Sequence, residues 1–360
     1  MKITCVVATL APGGAERVMT YLCGGLAARG HQVTLLTLSD AVPDFYELPA
    51  GVERVRLNLP CFNKAGFFGS LWRLWLMLKT LHRLKPDVLI SFMTLSVLGA
   101  ALLLRVPYIY ADHLDIRTTP LTEKWKFLRR LLLRLASRVT VLSERDRKFL
   151  ALYYPKWKVS LIYNPALPES KAEVPRPDFL PAGPRYVLAV GRLVKQKGFD
   201  YLLEAWRRVC EENPNWRLCI VGAGPLEAEL KDLAEVLDVQ HSVAFVPPQK
   251  NLAPLYRYCD IYAMTSRTEG FPMVLLEAMA AGMPVVSFAC TGPDVIVRDG
   301  EDGLLVKPGY TERFAHSLAR LMQDEGLRHR LAQNAPAVCE RFSLDKYIQA
   351  YEDLCTAARK

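Results

Sequence analysis

Short apolar runs alternate with segments of helical periodicity along almost the whole chain. In the first half, strand patterns occur at Ile3–Ala8, Gln32–Leu38, Val88–Phe92, Tyr108–Ala111, Val139–Leu142 and Val159–Ile162. In the second half, they occur at Tyr186–Val190, Trp216–Val221, Ser242–Phe245, Ile261–Met264 and Val285–Ser287. Strands that alternate with helices predict parallel sheets with helices on both faces. We therefore expect an α/β protein made of two doubly wound, Rossmann-like domains.

A stretch rich in proline separates the two series of elements. Residues 166–184 show no periodicity and have the composition of an interdomain linker. We expect an N-terminal domain over residues 1–165 and a second domain over residues 185–342.

The stretch Thr265–Pro284 combines a polar turn with a predicted helix. Pro272 suits the first turn of a helix, apolar residues recur at helical spacing from Met273, and Gly282 with Pro284 gives a stop signal. This pattern places Glu269 just before a helix N-terminus and Glu277 one to two turns inside the helix. Two carboxylates at this spacing can face one cleft, although a lone pair of glutamates is more often a capped surface helix.

Composition indicates a globular protein of the cytosol. The chain has 360 residues, about half of them apolar, and nine scattered cysteines without a C-x-x-C motif. Neither a disulfide framework nor a zinc site is indicated. The first apolar run is too short for a signal peptide, and no run approaches the ~20 apolar residues of a membrane span.

Positive charge is concentrated in the first half. Residues 1–170 carry 23 Lys and Arg against 12 Asp and Glu, whereas residues 171–360 carry 23 against 25. Such an asymmetry predicts an anionic partner for the N-terminal half, although scattered lysines would have the same effect. No nucleic-acid-binding motif is present, so an anionic lipid is the favoured partner.

Two helical segments mix apolar bulk with basic residues, as helices at a membrane surface do. The first is Phe67–Lys85 and the second is Lys124–Arg138. An equally simple alternative for the first is a core-facing helix with a solvated basic side. The basic residues expected to contact an acceptor or a membrane are Arg73, Lys79, Arg83, Lys124, Lys126, Arg129, Arg130 and Arg134.

Two places in the first half combine a strand end with candidate chemistry. Gly13 and Gly14 lie in the turn after the first strand, where a backbone without side chains allows close approach of a ligand. His113, flanked by Asp112 and Asp115, follows the strand Tyr108–Ala111 and is placed to hydrogen-bond a sugar hydroxyl or exchange a proton. A single loop histidine is otherwise usually solvated.

The loop Gly191–Gly198 follows the first strand of the second half. It has neither the G-x-G-x-x-G nor the G-K-[ST] phosphate fingerprint. It offers two cations, Arg192 and Lys197, between glycines, and such a fixed pair would stabilise a departing diphosphate. Lys195 is expected to be solvated.

These motifs together resemble retaining GT-B glycosyltransferases of family 4. The matching elements, in order, are Gly13-Gly14-Ala15-Glu16-Arg17, His113, Asn164-Pro165, the G-R-x-x-x-x-K-G loop with Arg192 and Lys197, the turn Gly222–Gly224, and the E-x7-E pair Glu269 and Glu277. The resemblance covers most of the chain. It implies the GT-B fold, in which two Rossmann-like domains face a cleft, and a final helix, residues 343–360, that returns to the N-terminal domain.

The resemblance also implies roles for the site residues. Arg192 and Lys197 would hold the donor diphosphate, Glu277 the ribose, and Glu269 with the backbone of Phe271 and Pro272 the donor sugar. The base would lie near Phe245 and Val246, Gly222 would line the donor site, and His113 would contact the sugar. Such enzymes retain the anomeric configuration without an enzyme nucleophile and generally need neither metal nor cofactor; no Asp-x-Asp occurs in this chain.

Within the family, Gly-Gly-Ala-Glu-Arg and Trp-Lys-Phe-Leu-Arg-Arg are similar to bacterial enzymes that extend glycans on polyprenyl diphosphate. The N-acetylgalactosaminyl transferases of protein N-glycosylation are of this type, and exopolysaccharide and lipopolysaccharide transferases are similar. The resemblance implies three partners: a nucleotide sugar, with UDP favoured over GDP by the resemblance alone, a lipid-linked glycan, and the anionic surface at the inner face of the plasma membrane. A nucleotide-sugar epimerase is the alternative from another enzyme class.

Overall fold

The computed structural model describes residues 1–39, 43–59, 66–113, 123–168 and 173–359. Contacts within the chain divide it into two compact units. Unit 1 is Met1–Asn164 with Leu344–Lys360, and unit 2 is Pro165–Ser343. Each unit has its own parallel sheet, as the alternating pattern predicts.

The sheet of unit 1 has seven strands in the order β3-β2-β1-β4-β5-β6-β7. Every neighbouring pair is parallel, and Cys5 of the first strand is in register with Leu35 on one side and Ile90 on the other. The strand order reverses between β1 and β4, which is where open α/β sheets place their ligands. The strands are β1 Lys2–Val7, β2 Gln32–Thr37, β3 Val52–Arg56, β4 Val88–Phe92, β5 Tyr108–Ala111, β6 Arg138–Val141 and β7 Val159–Leu161.

Helices cover both faces of this sheet because successive strand residues point to opposite sides. Cys5 faces Cys23 of α1, and Thr140 meets Tyr351 of α14. Val6 faces the other way, into a core cluster that includes Met77 of α2 and side chains of α3, α4 and α5. The helices are α1 Gly14–Ala28, α2 Gly66–Leu84, α3 Leu98–Leu103, α4 Glu123–Leu133, α5 Glu144–Leu150 and α14 Leu344–Arg359.

The last helix, α14, is tied to α1 of the same unit. Arg29 donates to Glu352 at 2.7 Å and also pairs with Asp345, while His31 contacts Glu352 at 2.7 Å. The buried ring of Tyr351 packs beside Phe92. Polar contacts at the rim and aromatic packing at the centre therefore hold α14 on the sheet of unit 1.

Unit 2 contains a sheet of six strands in the order β10-β9-β8-β11-β12-β13, again parallel throughout. Its strands are β8 Arg185–Val190, β9 Trp216–Val221, β10 Val243–Val246, β11 Ile261–Met264, β12 Val285–Phe288 and β13 Leu304–Val306. Its helices are α6 Phe199–Arg207, α7 Glu227–Val236, α8 Ala253–Tyr258, α9 Met273–Ala280, α10 Pro293–Ile296, α11 Thr311–Gln323, α12 Glu325–Asn334 and α13 Val338–Arg341. The core includes fully buried Trp206, whose indole N–H donates to Ser242 at 2.9 Å.

The predicted linker, residues 166–184, differs from a free connector in the part that the structure describes. Arg176 donates to the carbonyls of Leu180 and Pro181, both at 3.0 Å, and stacks on the ring of Tyr258 at 4.8 Å. The carbonyl of Val174 accepts from the Tyr258 hydroxyl at 2.8 Å. Residues 173–184 therefore pack on unit 2 without forming a helix or strand.

The helix predicted in the stretch Thr265–Pro284 is present. α9 runs from Met273 to Ala280, with Pro272 at the position before its first residue and Gly282 at φ +79° after its end. Among the described helices, none is both long and apolar enough to cross a bilayer.

Candidate active site

The carboxyl edge of the unit 2 sheet carries the motifs singled out in the second half of the sequence. Loops after β8 and β9 are joined by hydrogen bonds from Gly191 N–H to the Val221 carbonyl, 3.0 Å, and from Leu193 N–H to the Ala223 carbonyl, 2.9 Å. Gly222 N–H donates to the Val246 carbonyl at the end of β10, 2.9 Å. Neighbouring parallel strands thus bring these separate turns to one edge.

Two glycines at this edge are required by close backbone contact. A Cβ on Gly222 would lie 1.9 Å from the Gly191 carbonyl oxygen. Gly198 has φ +66°, and a Cβ there would lie 2.1 Å from the carbonyl oxygen of Thr265. Only glycine fits such positions, because side chains rarely adopt positive φ and the backbone opposite cannot retreat. The loop of residues 191–198 is therefore packed directly against the loop that contains Glu269.

Lys197 and Glu269 form an ion pair between these two loops. Lys197 Nζ lies 2.5 Å from Glu269 Oε1, and the Glu269 side chain is only 9% exposed. The stem of Lys197 lies over Gly191, 3.4 Å from the place of its missing Cβ. The buried carboxylate therefore holds the ammonium group of Lys197 in one position at this edge.

Glu277 lies on α9 and is partly buried. Its Oε2 accepts a hydrogen bond from the Tyr256 hydroxyl at 2.9 Å. Tyr262, on β11, is fully buried. Its burial, and then the negative charges of both Glu269 and Glu277, raise the pKa of its phenol well above the ordinary value. The charges of both carboxylates of the E-x7-E pair therefore act on the hydroxyl of the same buried tyrosine.

The backbone before α9 is confined by its neighbours. The ring of Phe271 packs edge-on against Phe342 with centroids 5.1 Å apart, and Pro272 has φ −73°. A Cβ on Gly292 would lie 2.6 Å from the Gly270 carbonyl oxygen. The side chain of Phe271 is therefore engaged in packing, which leaves the backbone of residues 270–273 as the part that can meet a ligand.

Arg192 differs from Lys197 in being exposed. It has no ion-pair partner in the described ranges, and neither does exposed Lys195 three residues later. Phe245 and Val246 end β10; the ring of Phe245 is partly buried against the core and lies 6.0 Å from Lys231 Nζ. These residues lie at the ends of strands of the same sheet as Lys197 and Glu277.

In unit 1, the turn with Gly13 and Gly14 is held by Tyr46. Gly14 is the first residue of α1, and Gly13 precedes it with an extended backbone. The Tyr46 hydroxyl accepts from Gly13 N–H at 3.3 Å and donates to the Gly13 carbonyl at 3.1 Å. One side chain thus holds both backbone polar groups of Gly13, a residue that the sequence marks as a ligand contact.

His113 follows β5 and stacks on Phe92 of the neighbouring strand, with ring centroids 4.1 Å apart. Its Nδ1 is buried and has no hydrogen-bond partner among the residues that the structure describes. Burial lowers the pKa of His113 to about 3. The imidazole is therefore neutral at physiological pH, and it can accept or donate one hydrogen bond but carries no charge.

Arg129 is not a surface contact, contrary to expectation. It forms an ion pair with Asp112, whose side chain is 2% exposed, and the Arg129 side chain is itself 13% exposed. It also interacts with the hydroxyl of Tyr110. The physical reason is that Asp112, buried at the end of β5 beside His113, needs a positive partner. Arg129 thus belongs to the support of the strand end that carries His113.

The other predicted basic contacts divide by exposure. Arg73 is buried, and Arg130 is half-buried with its guanidinium 4.6 Å from the ring centroid of Tyr153, so Arg73 is a second correction. Lys126 is half-buried, and Lys124 lies outside the residues whose side chains the structure describes. The exposed members of the predicted set are Lys79, Arg83 and Arg134.

Several contacts at these two sites have no signal in the sequence. Tyr256 precedes Glu277 by 21 residues, and only the packing of α8 beside α9 brings them together. Cys290 lies near Glu269, and burial, followed by the charge of Glu269, raises the pKa of its thiol to about 12. Within the described residues, no group of three or more His, Cys, Asp or Glu is arranged to hold a metal ion.

Comparison with known families covers most of the chain. Residues 12–170 match the model of Glycosyltransferase Family 4, and residues 170–338 match that of Glycosyl transferases group 1. The two matches meet at residue 170, close to the division between unit 1 and unit 2.

Similar proteins and structures span nearly the same length. The amylovoran biosynthesis glycosyltransferase AmsD of Erwinia amylovora is 32% identical over 90% of this chain and 90% of its own. A Campylobacter jejuni α-1,4-N-acetyl-D-galactosaminyltransferase, named for an undecaprenol-diphosphate-linked glycan, is 28% identical over 96% and 95%. The crystal structure of Anabaena Alr3699/HepE with UDP and glucose aligns with TM-score 0.80 and 23% identity over 99% of both chains.

Proposed function

This chain belongs to the glycosyltransferases of group 1 and family 4 and has the GT-B fold, and we propose that it is a retaining hexosyltransferase. It moves a hexose or N-acetylhexosamine from a nucleotide sugar to a glycan on polyprenyl diphosphate. Membership in a glycosyltransferase family argues against the epimerase alternative, because an epimerase has no acceptor.

The observation that carries the proposal is the contact between Lys197 and Glu269. It joins the loop expected to bind the donor diphosphate to the loop expected to bind the donor sugar. Arg192, exposed at the start of the same loop, supplies a second cation. With Glu277 near the same buried Tyr262, one edge of one sheet holds the groups that a nucleotide sugar needs.

We assign the parts of the donor to groups at this edge. Arg192 and Lys197 bind the diphosphate, Gly222 lets the ligand approach the backbone, and Glu277 accepts hydrogen bonds from the ribose. Glu269 and the backbone N–H groups near Phe271 and Pro272 bind the sugar hydroxyls, where a helix N-terminus also favours negative charge. The ends of strands at Phe245 and Val246 are assigned to the base. UDP is proposed as the nucleotide because Alr3699/HepE, which has the same fold, is described with UDP.

In the proposed reaction, the bond between the sugar C1 and the diphosphate oxygen breaks. The electron pair leaves with the nucleoside diphosphate, and the two cations stabilise its growing negative charge. The acceptor hydroxyl forms the new bond to C1 on the same face, and its proton passes to the departing phosphate oxygen. No residue of the chain is consumed, and the anomeric configuration is retained.

For unit 1 we retain contact with the donor as the role of His113, Gly13 and Gly14, on the strength of the family resemblance. The neutral imidazole of His113 suits a hydrogen bond to a sugar hydroxyl, since its pKa of about 3 leaves it uncharged at neutral pH. Arg129 and Asp112 act on His113 only by holding the end of β5.

The acceptor is proposed from the Campylobacter relative, whose name specifies a glycan on undecaprenol diphosphate. Such an acceptor places the enzyme at the inner face of the plasma membrane as a peripheral protein. Protein N-glycosylation is one pathway that uses such a carrier. AmsD, a relative of amylovoran biosynthesis, favours a second candidate in which the acceptor belongs to an exopolysaccharide.

The test is transfer of labelled sugar from a panel of nucleotide sugars to a short polyprenyl-diphosphate glycan. We expect one UDP-sugar to be used, and Glu269→Gln to lower turnover by 100-fold or more while the protein stays folded. Lys195→Ala serves as the control and is expected to keep full activity. Undiminished transfer by Glu269→Gln would contradict the proposed site, and use of an exopolysaccharide intermediate alone would select the second acceptor.

A further inference from the structure

Large exposed apolar side chains are unevenly distributed among the residues that the structure describes. Thirteen of the sixteen belong to unit 1, and only Phe179, Val236 and Tyr310 belong to unit 2. Soluble surfaces normally scatter such side chains, so a concentration on one unit marks an interaction surface.

Ten of the thirteen lie on one layer of unit 1. Helices α2, α3, α4 and α5 bury their inner sides in the same core cluster, over the sheet face that Val6 points to. Their outer sides therefore point away from the sheet together. We call this outer surface the apolar face; it consists of the exposed side chains of α2 and α3, of α4 with the two residues that follow it, and of residues 152 and 153.

The exposed side of α2 is apolar near its N-terminal end and basic near its C-terminal end. Leu71, Trp72 and Trp75 are exposed near its N-terminal end, with Trp75 55% exposed. Lys79 follows one turn later and stacks 5.2 Å from the Trp75 ring, and His82 and Arg83 continue the same exposed side. An apolar patch thus passes into a basic one on a single helix.

On α4 the exposed side is apolar rather than basic. Phe127 and Leu131 of α4, and Leu135 two residues after its end, are exposed at intervals of four residues, and Phe127 is 69% exposed. Arg134 is the exposed arginine beside them, because Arg129 is paired with Asp112 and Arg130 is stacked on Tyr153. The sequence suggested an arginine cluster here, but the structure places a leucine and phenylalanine stripe in its position.

The remaining parts extend the same surface. Leu102 and Leu103 are exposed on α3, and Leu152 and Tyr153 are exposed after α5. The guanidinium of Arg130 lies 4.6 Å from the ring centroid of Tyr153. Aromatic rings with stacked cations are well suited to the boundary between lipid headgroups and acyl chains.

The charge of the apolar face indicates which kind of partner binds there. Between residues 66 and 111 the only acidic residue is Asp87, and between residues 123 and 143 the only one is Glu123. Exposed Lys79, Arg83, Arg105, Arg134 and Lys156 lie on or beside the apolar face. A surface that is apolar, basic and nearly without acids complements an anionic bilayer, whereas the cores of protein interfaces are depleted in lysine.

We propose that the apolar face is a membrane-docking surface, which inserts its tryptophans, phenylalanine and leucines among the headgroups of an anionic bilayer. The proposal rests on the proposed function in one respect only, the lipid-linked acceptor, which gives the enzyme a reason to be at a membrane. Binding depends mainly on apolar insertion, and the exposed cations add an attraction that salt weakens.

The test is cosedimentation with vesicles that contain phosphatidylglycerol, compared with vesicles of phosphatidylcholine alone. The variant Trp72→Ser/Trp75→Ser/Phe127→Ser is expected to lose at least tenfold in partitioning to anionic vesicles. The matched control, Phe179→Ser/Val236→Ser/Tyr310→Ser, removes three exposed apolar side chains of unit 2 and is expected to bind as the wild type does. Circular dichroism melting checks that both variants are folded.

The outcomes separate docking from catalysis. Transfer to a water-soluble, short-chain acceptor is expected to be unchanged in the Trp72/Trp75/Phe127 variant, because this assay needs no membrane. Absence of transfer by the wild type in the same assay would contradict the proposed function and leave the docking surface unaffected. Equal vesicle binding by both variants, or no binding by the wild type, would overturn the docking surface. A wild-type dimer that the variant converts to a monomer, with vesicle binding unaltered, would instead make the face an interface between copies and would equally overturn it.

Discussion

Lys197 Nζ lies 2.5 Å from Glu269 Oε1, across a sequence separation of 72 residues. The pair is largely buried, so each charge depends on the other. It therefore connects the stability of unit 2 with the arrangement of the proposed donor site.

We predict that Lys197→Met leaves the Glu269 carboxylate buried without its lysine and lowers the free energy of unfolding by about 3 kcal/mol. The double variant Lys197→Met/Glu269→Met is expected to recover most of that stability, because no lone charge remains buried. Neither variant is expected to transfer sugar. Urea unfolding and turnover measured on the same preparations check both statements; additive losses of stability in the double variant would contradict the coupling.

The glycine at position 198 gives a second prediction. Gly198→Ala forces a side chain into positive φ and against the Thr265 carbonyl, 2.1 Å from the new Cβ. Gly309→Ala is the matched control, since Gly309 has φ +84° but no atom within 4 Å of the added Cβ. The control is expected to cost about 1–2 kcal/mol of stability, from the backbone conformation alone. Gly198→Ala is expected to cost more and to weaken UDP binding, as urea unfolding and calorimetry would show; equal costs would mean that the loop contact is unimportant.

A third prediction separates two arginines of the same segment. Arg129→Ala removes an ion-pair partner of buried Asp112 and is expected to lower the free energy of unfolding by about 3 kcal/mol. Arg134→Ala removes an exposed charge and is expected to change it by less than about 0.5 kcal/mol. Chemical denaturation of the two variants measures the difference. A variant that lacks both arginines could bind membranes less well either because it unfolds or because it loses a lipid contact. The two arginines must therefore be replaced one at a time.

His113 predicts how stability changes with pH. The pKa in the folded protein is about 3, below the ordinary value of 6.5, so the unfolded chain takes up a proton that the folded chain refuses between these pH values. The stability from His113 is complete above pH 6.5 and declines as pH falls toward 3, by at most about 1.4 kcal/mol per pH unit. His113→Asn should show a shallower decline between pH 7 and pH 5; parallel curves for the two proteins would be evidence that His113 titrates normally.

The architecture was predictable because its signals are local. Apolar strand patterns gave the α/β class and two series of units, and the proline and glycine around α9 gave its ends. β3 and β13 were missed because VERVR, an edge strand, has three charged residues out of five and LLV has only three residues. Such strands are defined by the neighbours they pair with, which sequence periodicity does not contain.

The site was predictable only as far as motifs extend. The loops that carry Lys197 and Glu269 and the helix that carries Glu277 could be named, but the hydrogen bond from Tyr256 to Glu277 depends on how two helices pack. The role of Arg129 depends on Asp112 being buried, and a count of positive charges gives no information on burial. The basic composition of α4 therefore predicted more exposed arginines than the structure has, and it gave no indication of the exposed apolar side chains.

The measurement that tests the donor site most directly is calorimetric titration of UDP into the wild type, Arg192→Ala and Lys195→Ala. Both side chains are exposed cations of one loop, so neither change is expected to disturb the fold. If Arg192 binds the diphosphate through a charge-assisted hydrogen bond, its removal weakens UDP binding by about tenfold or more, whereas Lys195→Ala changes it by less than about twofold. Equal affinities of the two variants and the wild type would contradict the account.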